Sequence, residues 1–350
     1  MKFGPLPVGD AAGAVLAHSL KLPGGALKKG LVLGADDIRR LRDAGIESVV
    51  VARLEADDVA EDEAAMQVAL ALGGADVDIG NAGTGRVNLY ARHAGLLMLD
   101  AARVHAANVA DEGLTVATLH AESPVESGQM LATVKIIPYG VPRAALTQVI
   151  ASLRGTAGPE TGRRALRVAA WRPLATGLVL TRAAETAESM LNKMRHAVLT
   201  RLNPLGAALQ REDTVAHRSA AVAGALRQMI ASADAPRLLL VAGIAATVDR
   251  EDVVPAGIVQ AGGRVVHAGM PVDPGNLLVL GELPGPQGPV PVVGIPTCAR
   301  SPKLNGFDFV LRRLVAGEPV TPAAIMAMGV GGLLTEIESR PMPRDPRRQG

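Results

Sequence analysis

The chain has 350 residues, enough for two or three domains, and 48% of them are apolar, enough to bury substantial cores. Its formal net charge is +2, and the 36 basic residues are scattered rather than grouped with aromatics, which argues against a nucleic-acid partner. The single cysteine, Cys298, excludes an intramolecular disulfide and fits a reducing compartment. No apolar run reaches the ~18 residues of a membrane span, and residues 1–5 lack the apolar core of a signal peptide, so a cytoplasmic protein with no membrane partner is expected.

Residues 1–150 read as a smaller α+β region in two parts, 1–75 and 76–150. Residues 15–22 alternate as a short strand does, and Leu27-Lys28-Lys29-Gly30 is a turn. The spacing of Ile38 and Leu41 predicts a helix over 35–44, opened by Asp36 and Asp37 and ended by Gly45. Residues 48–52 form a Val-rich strand. A second helix is predicted over 58–75, with Asp58, Glu61, Asp62 and Glu63 near its start, where acids complement the helix dipole. The Gly-rich segment 82–89 is either a closing loop or a turn. A helix is predicted over 96–109 and strands over 115–119 and 130–137, with a linker over 151–166.

From 167 to 335 the pattern becomes strand–helix alternation. Apolar strands at 177–181, 237–241 and 265–266 are interleaved with helices over 186–202, 217–230 and 253–261. Met190, Met194, Ala197 and Val198 share one face of the first of these. A hairpin over 277–280 and 290–293 and a helix over 307–314 complete the pattern. Such alternation predicts an α/β fold: a three-layer domain with a mostly parallel sheet in the C-terminal half. The Pro/Arg-rich residues 336–350 are expected to form a disordered tail.

In parallel sheets of this kind, ligands bind in the loops beyond the carboxyl ends of the strands. Three loops stand out. The first, 242–258, places Gly243 after an apolar strand and Asp249 and Asp252 ahead of a helix, suited to a cation, a hydrogen bond or a proton transfer. Asp252 reads equally as a plain N-cap. The second, 269–278, carries Pro274, Gly275 and Asn276 in a rigid loop, or an ordinary turn. The third, 294–314, brings Gly294, Pro296, Thr297, Cys298, Arg300, Ser301, Lys303 and Asn305 ahead of a helix start, a donor set that suits a phosphate. Cys298 reads as a buried thiol, a nucleophile or a soft-metal ligand. No zinc-type His or Cys spacing and no phosphate-binding loop motif occurs.

Taken in order, these loops resemble the molybdopterin-binding domain shared by molybdopterin molybdotransferase and molybdopterin adenylyltransferase. The resemblance runs through Ala242-Gly243-Ile244, Asp252-Val253-Val254-Pro255, Gly262-Gly263, Met270-Pro271-Val272-Asp273-Pro274-Gly275-Asn276 and Gly294-Ile295-Pro296-Thr297-Cys298, covering residues 170–318. Residues 269–278, 298–311 and 328–334 resemble more narrowly a bacterial subfamily associated with molybdenum cofactor nucleotidyltransferases. The resemblance implies binding of molybdopterin, with molybdate and Mg2+ as companions, a homo-oligomer, and a nucleotidyltransferase or an apo-molybdoenzyme as protein partner. On this reading the phosphate sits on the 294–306 loop and its helix start, Asp252 with Asp249 contacts the pterin or a cation, and Cys298 is expected beside the dithiolene. The sequence departs from the family at Ala242, Ile244, Asn276 and Thr297-Cys298; Asn276 replaces a lysine and its charge. Three functions follow as expectations: assistance to molybdate insertion, non-catalytic carriage of the cofactor, or an unrelated α/β small-molecule enzyme.

Overall fold

The structure, a computed structural model, describes residues 1–155 and 164–334. The chain divides into two units, Met1–Ala169 and Ala170–Gly350. Among the described residues no helix is long and apolar enough to cross a membrane.

The first unit opens with β1 (Lys2–Pro7), β2 (Val15–Leu16), β3 (Leu20–Leu22), β4 (Gly25–Leu27), α1 (Ala35–Asp43) and β5 (Ser48–Arg53). β5 pairs antiparallel with both β1 and β2, and β3 with β4 makes a separate ribbon. Ile38 and Leu41 of α1 enter a core with Leu16, Leu33, Val49 and Val51. The predicted amphipathic helix forms because that face has a sheet to cover.

The chain continues through β6 (Asp58–Ala60), α2 (Glu61–Leu72), β7 (Val77–Ile79), β8 (Arg86–Ala91), β9 (Gly95–Leu99) and α3 (Ala101–Ala110). β10 (Leu114–Thr118), β11 (Pro124–Val125), β12 (Met130–Ile136), β13 (Gly140–Pro142), α4 (Arg143–Arg154) and β14 (Leu166–Ala170) follow. β10, β12, β8 and β7 form an antiparallel sheet.

Three expectations are corrected here. The helix predicted from 58 starts at Glu61, because Asp58–Ala60 pair with β13. The helix predicted from 96 starts at Ala101: residues 95–99 form β9, and the Asp100 carboxylate caps α3 by accepting from the Arg103 N–H at 3.1 Å. A continuous apolar run such as Leu96-Leu97-Met98-Leu99 carries no period that separates strand from helix. The predicted linker begins inside α4 and ends in β14, which joins β9 and β11 in a sheet of the first unit. The rest of that linker and the tail expected over 336–350 lie outside the described residues.

The second unit contains β15 (Ala175–Arg182), α5 (Glu188–Leu202), β16 (Ala208–Ala216), α6 (Ser219–Ile230), β17 (Leu238–Ala242) and α7 (Val253–Gln260). It ends with β18 (Arg264–Ala268), β19 (Val279–Leu283), β20 (Val290–Ile295), α8 (Gly306–Ala316) and α9 (Pro322–Ala327). The six-stranded sheet has the order β16-β15-β17-β20-β19-β18. β16, β15, β17 and β20 run parallel, and β19 is antiparallel to both of its neighbours. β16 is a strand the sequence did not announce, because its ALQREDTVA stretch is polar and lies at the sheet edge.

Alternation along the strands makes two apolar faces. Leu178 and Leu180 of β15 and Leu238 and Leu240 of β17 pack with Leu191, Met194 and Val198 of α5 and with Phe307 and Leu311 of α8. Val179, Leu239 and Val241 pack on the other side with Leu226 of α6 and Ile258 of α7. The result is the expected three-layer, mostly parallel arrangement. Each fully buried Leu or Val side chain contributes about 1.5–3 kcal/mol. Leu240 is fully buried in the central strand. Leu240→Ala is therefore expected to lower the unfolding free energy by about 2–5 kcal/mol, measured by urea denaturation.

Candidate functional site

β15, β17 and β20 end side by side at Arg182, Ala242 and Ile295. From β15 the chain moves outward to β16, and then returns across β15 to β17. This change of direction at the carboxyl ends is where open α/β sheets leave a ligand crevice.

The loop after β20 is organised from beneath by Arg201 of α5. Its side chain is buried, and Nε donates to Asp308 Oδ1 at 2.8 Å. Its Nη1 donates to the carbonyls of Ala197 and Ala299 at 2.8 and 2.9 Å, and its Nη2 to those of Ser301 and Lys303 at 2.8 and 3.1 Å. One planar guanidinium thus turns three carbonyls of the 299–303 segment inward, and the charge is balanced by Asp308. The sequence carried a sign of this: Arg201 continues the helical spacing of Met194, Ala197 and Val198, a cation on an apolar face.

The same loop sends Arg300 the other way. Its Nη2 donates to the carbonyls of Gly243 and Ile244 at 2.9 and 2.7 Å, tying the loop after β20 to the loop after β17. Its Nε is buried and has no hydrogen-bond partner among the described residues. Burial holds the guanidinium below its ordinary pKa, and among the described residues no carboxylate counters that shift. Arginine stays charged nonetheless, so this is a half-buried cation without an anion. The recess beneath it, lined by Gly243, Pro296, Thr297 and Arg300, holds about 10 Å³, room for roughly one water. A ligand of pterin size would lie over this recess rather than in it.

The expected anion cradles at the helix starts are closed by the protein itself. Asn305 caps α8: its Oδ1 accepts from the Phe307 N–H at 3.1 Å, while Asp308 Oδ2 accepts from the Asn305 N–H at 2.8 Å. The Gly306 and Asp308 N–H groups donate to the carbonyls of Pro274 and Asn305 at 2.8 and 2.9 Å. These are the donors that a phosphate would need, and each already has a protein oxygen as its acceptor. Asn305 Nδ2 also donates to Cys298 Sγ at 3.2 Å, so the half-exposed thiol serves as an acceptor within the loop.

Asp252 caps α7, with Oδ1 accepting from Val253 N–H at 2.8 Å and Oδ2 from Val248 N–H at 3.2 Å. Asp249 Oδ1 accepts from Glu251 N–H at 2.8 Å. Both acids therefore hold the shape of their own loop, and among the described residues no cluster of three or more His, Cys, Asp or Glu is grouped to hold a metal.

Pro274 and Gly275 are buried, whereas Asn276 is exposed. A Cβ on Gly275, whose φ is +143°, would meet Gly306 N at 2.7 Å, so only glycine lets the turn lie against α8. Asn276 Nδ2 and carbonyl both engage Met270, at 3.3 and 2.9 Å. Gly294 packs between Val254 and Val279 within the sheet. Pro296 is buried, Thr297 and Ser301 are half-exposed, and Lys303 is exposed. Of the residues expected in the site, Gly243, Pro296, Thr297 and Arg300 meet at one recess.

A larger cleft of about 470 Å³ lies at the opposite edge of the sheet, between Pro236, Arg237, Gln287 and Pro289. It stands at the amino ends of the parallel strands, away from the crevice. The Gly-rich segment of the first unit is a turn. Thr84 and Gly85 both have positive φ, 51° and 69°, and Gly83 and Arg86 exchange hydrogen bonds across them at 3.0 and 3.1 Å.

The second unit has an open α/β architecture with a mostly parallel six-stranded sheet. A family model described as a domain of unknown function (DUF8806) matches residues 5–53, within the first unit. No curated protein matches the sequence. Among solved structures, a molybdenum cofactor biosynthesis protein from Pyrococcus furiosus aligns at 13% identity with a TM-score of 0.23, over 91% of this chain. The chain spans 66% of the length of that protein.

Two stability outcomes follow. Arg201→Ala strands Asp308 and three carbonyls, and an unfolding free energy lower by about 3–5 kcal/mol is expected in denaturant titration. Asp252→Ala removes a cap and is expected to cost about 1 kcal/mol, whereas Asp252→Asn, which still caps, is expected to lie within about 0.5 kcal/mol of wild type.

Proposed function

We propose that the second unit binds molybdopterin at the carboxyl edge of its parallel sheet and carries it within molybdenum cofactor biosynthesis. One observation supports this most directly: Arg300 is a half-buried guanidinium with an orphaned Nε and no acid beside it, fixed between the two loops that end β17 and β20. A buried cation in this state gains from an anion at its open side. The terminal phosphate of molybdopterin supplies one, and the ordered run of loops that resembles the molybdopterin-binding domain selects it among anions. Thr297 and Ser301 offer hydroxyls from the same loop, and Lys303 an exposed ammonium on its outer side.

Carriage is favoured over molybdate insertion by the state of the two acids. Asp252 has both carboxylate oxygens on backbone N–H groups, and Asp249 has one there. Molybdate insertion aided by these carboxylates, with or without Mg2+, would first have to release them from α7 and its loop. A nucleotidyltransferase or an apo-molybdoenzyme would then be the recipient.

The test is direct. The protein is purified from a host that makes molybdopterin and denatured, and the released pterin is oxidised to its fluorescent form. Wild type is expected to carry pterin, and Arg300→Ala about tenfold less, the cost of one charge-assisted contact. A wild-type protein that carries none, and takes up none from an excess of free molybdopterin, refutes the proposal. Turnover of molybdate into the bound pterin by the purified chain excludes carriage alone.

A further inference from the structure

Gly243 has a second polar neighbour besides Arg300. Thr181, at the end of β15, is fully buried. Its Oγ1 accepts from the Ile244 N–H at 2.9 Å and lies 2.8 Å from His217 Nδ1. His217 is the residue just beyond β16, and its backbone N–H donates to the Arg182 carbonyl at 2.9 Å. The end of β15 thus links the end of β16 to the loop after β17 through one hydroxyl.

That hydroxyl has a single hydrogen. Ile244 already takes one of its acceptor positions. If His217 Nδ1 were protonated, it would take another, and the Thr181 hydrogen would be left buried without an acceptor. The arrangement in which every group is satisfied has the Thr181 hydroxyl donating to an unprotonated Nδ1. The neutral imidazole then carries its proton on Nε2. Among the described residues no protein atom accepts from Nε2, and His217 is partly exposed. Its Cε1, the carbon between the two ring nitrogens, lies 3.9 Å from the point where a Gly243 side chain would begin. Nε2 is bonded to that carbon, so the free N–H lies near the glycine whose carbonyl Arg300 holds at 2.9 Å.

We propose that His217 is a ligand-binding residue of this edge: its tautomer is fixed by Thr181, and Nε2 donates to an anionic oxygen of the molecule whose charge Arg300 meets. The class of ligand is a phosphate monoester or a similar oxyanion. The proposal rests on the reading of the crevice as an anion-binding edge and gives it a second, neutral donor beside Gly243.

The experiment uses the full chain labelled with 15N-histidine and long-range 1H–15N correlation at pH 8, with inorganic phosphate as the probe. The wild type is expected to show His217 protonated at Nε2, and Thr181→Ser to preserve that pattern. Thr181→Val is expected to lose it, giving a mixture of tautomers. Phosphate is expected to move the His217 Nε2 signal saturably, and His217→Ala to weaken phosphate binding by about tenfold, with the other histidine signals in place as evidence of folding. A proton on Nδ1 in the wild type overturns the proposal. So does an unmoved His217 when phosphate shifts the Arg300 guanidinium signals of a second sample labelled with 15N-arginine. A chain that carries no pterin but shows the His217 shift keeps this proposal and refutes molybdopterin as the ligand. A chain that carries pterin, but whose His217→Ala variant retains it at the wild-type level with the imidazole unmoved, refutes His217 alone.

Discussion

The guanidinium of Arg201 is the interaction on which the candidate edge depends. Loops are hard to bury, because their backbone carbonyls must find donors. The 299–303 segment runs over α5, and Arg201 supplies donors to Ala299, Ser301 and Lys303 from a single rigid group. Asp308, one turn into α8, neutralises it and also accepts from the Asn305 N–H. The loop, the helix start and the helix beneath are therefore one hydrogen-bonded assembly. A buried ion pair alone is weak evidence for stability. Here it fixes geometry, because the loop cannot shift without leaving a buried charge unpaired.

With the loop held from below, Arg300 is free to reach across to β17. It meets a segment already gripped by Thr181, so the Ile244 peptide is bound at both its N–H and its carbonyl. That double hold gives the 242–244 loop a defined path. Gly243 has a cation at its carbonyl and an imidazole carbon 3.9 Å from where its side chain would begin. The helix N-termini that such folds commonly offer to phosphates are capped by Asn305 and Asp252, so the charge for an anion has to come from side chains.

Much of this architecture was legible in the sequence. Period-2 and period-3.6 patterns gave the helix at 35–43 and the alternation in the C-terminal half, because burial against a sheet forces that spacing. Loop chemistry correctly marked residues 242–244 and 294–305 as the ends of buried strands. What failed locally did so for identifiable reasons. Leu96–Leu99 has no period, so strand and helix were indistinguishable. β16 is an edge strand with polar residues on it and left no apolar signature.

The sequence by itself determined the layer architecture and the place of the strand-end loops, because hydrophobic period and loop composition are local properties. It also supplied both possible readings of Asp252, as N-cap and as active-site acid. Only the tertiary structure showed which backbone N–H groups Asp252 caps, and only it brought Arg201, Thr181 and His217 to the edge. Those three come from α5, from β15 and from just beyond β16, separated along the chain from the loops they serve. Which polar atom meets which donor across such separations depends on how the layers stack, and no pattern along the chain encodes it.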